Sequence, residues 1–266
     1  NITFIISLPF LFIQRILAII IFMKKFLFSL IFFSSFLFGQ ENKKTSTIMF
    51  SFDYSFQFPE MDLKDRYGVN SSIGGSIISK TKKNYLYFLT SKWIFGNKIN
   101  EENIFDFIDG NNGDIINIDG QIPIIRTFQR GAQFHFNFGK KINLNIKKST
   151  SGVVPALGIG YVYHKIFIEN ILGETPQLNE DLKKGYDRLS GGFSLKQSLT
   201  FMYLSNNNMK NFNIGLELIE CWAKDLRINN YTNNIVPKNR FDLFIGITLQ
   251  WIVPLKKRTT NNFYYY

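Results

Sequence analysis

The chain has 266 residues, of which 45% are hydrophobic and 17% aromatic, with a formal net charge of +11. That length suits one large domain or one barrel. The single cysteine, Cys221, excludes an internal disulfide and a cysteine metal cluster. It does not follow the apolar leader, which argues against a lipid-anchored N-terminus. Asn, Lys, Ile and Phe dominate, as A/T-rich coding alone would produce, so patterning is the more informative signal.

Residues 1–22 are apolar but carry Pro9 and Arg15 and begin with Asn1; they read as an upstream extension, with Met23 the true start. The rival reading is a helical membrane segment over 1–22. Met23-Lys24-Lys25 then opens a signal peptide over 23–39. Two lysines form the charged region, Phe26 to Phe38 the apolar region, and Gly39 the small residue before cleavage. The apolar run is about 13 residues, short of the roughly 20 that a membrane helix needs. Three basic residues, Arg15, Lys24 and Lys25, lie in residues 1–39, leaving 28 against 20 acidic residues. No basic stripe with interleaved aromatics points to nucleic acid, and a positive surface facing anionic lipid head groups fits better.

After a periplasmic lead-in (40–47), alternation with period two recurs, the mark of strands with two unlike faces. From Ile48 to Phe58, Phe50, Phe52, Tyr54 and Phe56 alternate with Met49, Ser51, Asp53, Ser55 and Gln57. Similar strands are predicted at 131–146, 189–204 and 241–253, with weaker ones at 72–79, 84–95, 152–168 and 212–224. Eight strands of this length match tilted strands crossing a bilayer. A soluble sandwich also alternates, but its apolar face is rich in Val, Ile and Leu and its other face is charged. Here one face is Phe, Tyr and Trp, and the other is Ser, Gly, Thr, Asn and Gln. The predicted fold is therefore an all-β, antiparallel, up-and-down transmembrane barrel over 48–254, with lipid outside and a packed polar lumen.

The connections alternate long and short: about 59–71, 80–84, 96–130, 147–151, 169–188, 205–211 and 225–239. Outer-membrane barrels have long outer loops and short periplasmic turns. This parity puts both barrel ends in the periplasm.

The leader, eight strands and loop alternation over residues 23–255 resemble small outer-membrane barrel proteins of the OmpA/OmpX-like shape. The Phe38-Gly39-Gln40 ending and the Lys183-Lys184-Gly185-Tyr186-Asp187-Arg188 run give a Bacteroidota flavour. The resemblance implies location and fold only: outer-membrane lipid, the barrel-assembly machinery during biogenesis and an envelope protein complex as partners, and no nucleic acid. Such barrels often end on an aromatic residue of the last strand. Here Pro254 closes the strand and a tail (255–266) follows, ending in Tyr264 to Tyr266. Trp251 is expected to serve as the assembly signal, and the tail to bind a periplasmic partner.

For chemistry, inward parity predicts a lumen network of Asp53, Lys92, His135, Lys196, Glu217 and Asp242, paired because buried charges must be. Membrane-interface aromatics are expected at Tyr85, Tyr87, Trp93, Tyr161, Tyr163, Tyr203, Trp222 and Trp251. His164 is read as an interfacial residue near the outer end of its strand, level with Asp187 and Arg188 at the start of the next. A lipid-modifying site there would need a nearby nucleophile and carboxylate. Asp106, Asp109, Asp114 and Asp119, with Gly110, Gly113 and Gly120, hint at calcium but lack EF-hand spacing, and a loop turn is favoured. No catalytic residue, metal site or cofactor is expected. The predicted role is a structural or interaction barrel of the cell envelope. A narrow channel or transport accessory is the alternative, and a lipid-modifying enzyme comes third.

Overall fold

The computed structural model describes residues 46–101, 104–105, 115–144, 151–171, 175–205, 211–227 and 239–255. The expected extension (1–22), signal peptide (23–39) and tail beyond Leu255 lie outside the described residues, as does nearly all of the lead-in. The strands are β1 (Thr47–Met61), β2 (Asn70–Lys80), β3 (Tyr85–Gly96), β4 (Ile125–Lys140), β5 (Ile142–Asn143), β6 (Gly152–Asn170), β7 (Ser190–Tyr203), β8 (Phe212–Asp225) and β9 (Asn239–Leu255). The two-residue β5 continues β4 against β6 in unchanged register. The ring therefore has eight long strands.

Every neighbour pairs antiparallel, β4 pairs β6, and β9 returns to β1, so the sheet closes. Paired residues lead from Phe50 through Ile77, Leu89, Phe136, Ile159, Leu195, Glu220 and Leu243 back to β1 at Glu60, ten residues beyond the start. With eight strands this stagger tilts each strand by about 40° from the axis. Ten residues then rise about 25 Å along the axis, the height of the apolar band of a membrane barrel. Ten residues separate Phe212 from Trp222 on β8 and Phe241 from Trp251 on β9, so each pair reaches both edges of that band.

Most observed strands reach slightly beyond the predicted ones, although β7 falls one residue short at each end and β4 with β5 stops at Asn143 rather than 146. β4 starts earlier, at Ile125 rather than 131, because Arg126, Phe128 and Arg130 extend its alternation opposite Glu169, Phe167 and Lys165. The first outer loop is shorter than 59–71 and contains a five-residue helix, α1 (Asp62–Arg66). The third outer loop holds a 3-10 turn, Pro176–Leu178, and helix α2 (Glu180–Lys183). Asn179 caps α2 by accepting from Leu182 N–H at 2.8 Å. These pieces are too short to show a helical period in sequence.

Small residues let the strands coil tightly around a filled interior. A Cβ at Gly160 would run into the Phe134 carbonyl and His135, and one at Gly74 into Ser91 and Lys92 backbone. The interior is layered. At the periplasmic end Met49, Ile78, Leu86, Phe88, Val154, Ala156, Met202 and Ile252 form one apolar plug. Towards the outer end Leu63, Tyr67, Ile94, Val162, Ile166, Ile219 and Phe244 form another. A polar layer lies between them. Outside, the apolar parity is exposed all round the ring: Phe52, Ile73, Trp93, Phe136, Ile159, Phe193, Leu216 and Trp251 are each 50–61% exposed. In water such a continuous belt would drive aggregation. In hydrocarbon it is the solvent-matched surface, and ring closure leaves no unpaired strand edge.

Candidate functional site

The polar middle layer is centred on Glu217 of β8, fully buried like its partner Lys92 of β3. Lys92 Nζ lies 3.0 Å from Glu217 Oε2, and Lys196 Nζ of β7 lies 2.7 Å from the same oxygen. Gln57 Nε2 donates to Glu217 Oε1 at 3.1 Å, and Lys92 Nζ also donates to Ser55 Oγ at 2.6 Å. Asp53 accepts from Ser51 Oγ at 2.6 Å and, in a short contact, from Ser76 Oγ. His135 Nε2 sits 3.0 Å from Ser194 Oγ. Two ammonium groups thus balance two carboxylates across four strands. Desolvating such a group is tolerated only when its counter-charge and hydrogen bonds are in place. A cavity of about 30 Å³ in this layer, bounded by Asn137, Asn213, Lys196, Glu217 and Thr248, is room for about one water molecule.

Asp242 was expected in this network and does not belong to it. It lies higher in the barrel, in a second group. His164 Nε2 lies 2.9 Å from Asp242 Oδ2, and His164 Nδ1 lies 3.2 Å from the Tyr67 hydroxyl. The neutral tautomer with its proton on Nε2 satisfies all three groups: tyrosine donates to histidine, and histidine donates to aspartate. Arg240 Nη2 adds an ion pair to Asp242 Oδ1 at 3.5 Å. His164 is also a correction. It is not interfacial but points inward and is fully buried, because it alternates with Tyr163 and Lys165 on the outward side. Asp187 and Arg188 do not open the next strand either; β7 begins at Ser190, and both lie in the loop before it.

Above this group the outer loops are tied together. Arg66, at the end of α1, reaches Glu101 Oε2 at 3.0 Å and Asp225 Oδ1 at 3.5 Å, and donates to Ser190 Oγ at 2.8 Å. Arg188 Nε bonds Glu101 Oε1 at 2.8 Å, and Ser190 Oγ donates to Asp225 Oδ1 at 2.7 Å. Asp187 pairs with Arg227 in a short contact and with Lys165 at 3.9 Å. Backbone bonds from Gly68 to Lys98 and from Asn100 to Arg66 zip the first outer loop to the second. Phe241 N–H donates to Asp62 Oδ2 at 2.8 Å, fastening α1 to the outer end of β9. Burial pushes the Tyr67 phenol up and also raises the Asp187 carboxyl despite its cationic neighbours. A cleft of about 250 Å³ opens outward between the end of β6 and the third outer loop, bounded by Lys165, Glu169, Lys183, Asp187 and Arg227.

The eight expected interface aromatics all lie on the outward parity of their strands. Tyr85, Tyr87, Tyr203 and Trp251 lie near the periplasmic edge, and Tyr85 stacks on Phe138, Tyr203 on Phe212 and Trp251 on Phe52. Tyr161, Tyr163 and Trp222 lie in the outer half, where Trp222 stacks on Phe193, and Trp93 lies closer to mid-height. In the second outer loop, Asn117 Oδ1 accepts from Asp119 and Gln121 N–H, with Gly120 at φ 74°. That is an Asx-type turn. Asp106, Asp109, Asp114, Gly110 and Gly113 lie outside the described residues. The sequence did not reveal Arg66, Glu101, Ser190, Asp225 or Tyr67, since each sits at or beyond a strand end, where parity loses its meaning.

No family profile and no curated protein matches the chain. Among solved structures, the chain is similar to Ail, the attachment invasion locus protein of Yersinia pestis. The form in complex with the heparin analogue sucrose octasulfate has 10% identity and a TM-score of 0.40, with 78% of this chain and 98% of that one covered. A second Ail structure gives 10% identity and 0.38, covering 79% and 99%. Neisserial surface protein A gives 9% identity and 0.33, covering 78% and 99%. The chain's own ring closure, its ten-residue stagger and its lipid-facing belt make the described residues an eight-stranded transmembrane β-barrel of the outer-membrane type.

Proposed function

We propose that this barrel is a sealed, non-enzymatic component of the cell envelope that holds its outer loops as a preshaped surface for a partner. The observation that carries this reading is the ionic group of Arg66, Glu101, Arg188 and Asp225. It joins the first three outer loops to the outer end of β8. A surface fixed before binding loses less conformational entropy when a partner arrives. The layered interior supports the sealed reading, because a conduit would have to breach two apolar plugs and the Glu217 network. His164 supports the non-enzymatic reading, since its ring nitrogens are both engaged and it has no open path to lipid.

The test is reconstitution of the purified barrel in planar bilayers beside a cross-linking pull-down from native envelopes. The expected result is no steady conductance, with capture of an envelope component that depends on the second and third outer loops. A steady conductance would move the assignment to a channel.

A further inference from the structure

Three cations stand on the outward parity of the wall just beyond the outer aromatic edge. Lys165 of β6 lies two residues beyond Tyr163, and Lys224 of β8 two beyond Trp222, each about 5 Å farther out at the rise and tilt of this barrel. Arg130 of β4 faces Lys165 directly across the β4–β6 ladder. Like charges opposite one another on neighbouring strands repel. Among the described residues Arg130 and Lys224 have no ion pair, and Lys165 has only Asp187 at 3.9 Å, which Arg227 already holds. Arg130 is nevertheless fixed: Nη1 donates to the Gln129 carbonyl at 2.9 Å, and the guanidinium lies 5.1 Å and 5.9 Å from the ring centres of Phe128 and Phe167. On β7, between the two lysine-bearing strands, Gly191 pairs with Tyr163 and Lys224. A Cβ there would come within 3.1 Å of the Tyr161 hydroxyl, so a phenol lies between those strands. At about the same height on the far side of the ring the outward positions are Glu60, Val69 and Phe241. The cations are thus confined to one side. There β4 and β6 continue outward past them, with Phe128 opposite Phe167 and Phe167 exposed.

We propose that this side of the wall binds the phosphate groups of a phosphorylated glycolipid in the outer leaflet. A guanidinium and two ammonium groups meet phosphate through charge-assisted hydrogen bonds, and each cation held at an anionic membrane surface adds to the attraction. Phosphate between Arg130 and Lys165 also removes their mutual repulsion. The aromatic pair rising above the cations fits a head group that continues outward as sugar rings, whose apolar faces pack on Phe167. The site rests on the membrane reading of the barrel and is independent of the loop surface.

The experiment titrates the full chain, folded in detergent micelles, with a bis-phosphorylated disaccharide lipid (lipid A), reading tryptophan fluorescence. Its phosphate-free form and its water-soluble, deacylated form are run beside it. The phosphorylated lipid should bind at least about tenfold more tightly than either. Changing Arg130→Gln, Lys165→Gln and Lys224→Gln together should remove that preference, while the barrel still migrates as a folded, heat-modifiable species. Changing Lys82→Gln and Lys83→Gln in the periplasmic turn, which alters net charge at the other end, should leave it intact. Equal binding of the phosphate-free lipid, an undiminished preference in the triple variant, or an equal loss in the periplasmic variant would each overturn the site. Equally tight binding of the deacylated form would make the ligand a soluble phosphosaccharide and overturn the lipid assignment. A membrane-embedded chain with any of these results loses the lipid site only. One recovered in the aqueous fraction without detergent loses the membrane reading itself.

Discussion

The imidazole of His164 and the carboxylate of Asp242 meet at 2.9 Å across the outer half of the lumen, joining β6 and β9, which are not neighbours in the ring. The contact is thus a strut through the interior, held in orientation by Tyr67 from the first outer loop. Breaking a buried pair from one side leaves an uncompensated group, at a cost of about 3–5 kcal/mol. Asp242→Ala should lower the urea-unfolding free energy in micelles by about that much and His164→Ala by less, since Asp242 keeps Arg240, and the double variant should lose much less than the two together. Additive losses would show that the two residues act separately.

Glu217 is shared by two ammonium groups, so the members of its network are not equivalent. Glu217→Gln strands both Lys92 and Lys196, whereas Lys196→Met leaves Glu217 with Lys92. The first change should cost about 3–5 kcal/mol and the second clearly less. Comparing the urea midpoints of the two variants checks the order, and a reversed order would show that Lys196 is the pivot.

Arg66 is the hinge pin of the outer surface. Arg66→Ala removes its ion pairs to Glu101 and Asp225 and its bond to Ser190. The strands keep their ladders, so the expected loss is local. Cleavage by added protease in the loop between β3 and β4 should speed up at least tenfold in intact cells, with barrel unfolding nearly unchanged. Equal cleavage rates would dissociate Arg66 from loop order.

At the periplasmic end, burial and the nearby Lys80 bring the Lys141 ammonium down to about 8. A lysine lowered in the folded state binds fewer protons there than in the unfolded chain. Its contribution is therefore unfavourable below pH 8 and is relieved as pH rises from about 8 towards the ordinary lysine value near 10.4. An NMR titration of the lysine Cε resonances should place the Lys141 midpoint near 8, below the main group. A midpoint for Lys141 within that group would refute it.

The strands were legible because a two-sided surface imposes period two, and β1 and β9 show it most plainly. Parity also states which side of the wall a residue faces, but not its height. Asp53 and Asp242 therefore look alike in sequence, although the stagger of the ring separates them into different layers. His164 was legible by the same rule: Tyr161, Tyr163 and Phe167 face outward, so 164 must face inward. Its position near a strand end suggested the interface, but parity decides. The loop residues Arg66, Glu101 and Arg188 carried no such signal. Their meeting depends on α1 folding over the mouth, and a five-residue helix leaves no periodic trace.

Fourteen residue pairs run along the β1–β9 contact, from Ile48 with Leu255 to Met61 with Asp242, and Trp251 stacks on Phe52 within it. The seam unites the earliest and latest strands to leave the ribosome. No amount of early folding can seal the cylinder, because its final stave is the last of the eight strands to be made. Until then both raw edges stay unpaired and would invite aggregation, so closure of the cylinder is a late event.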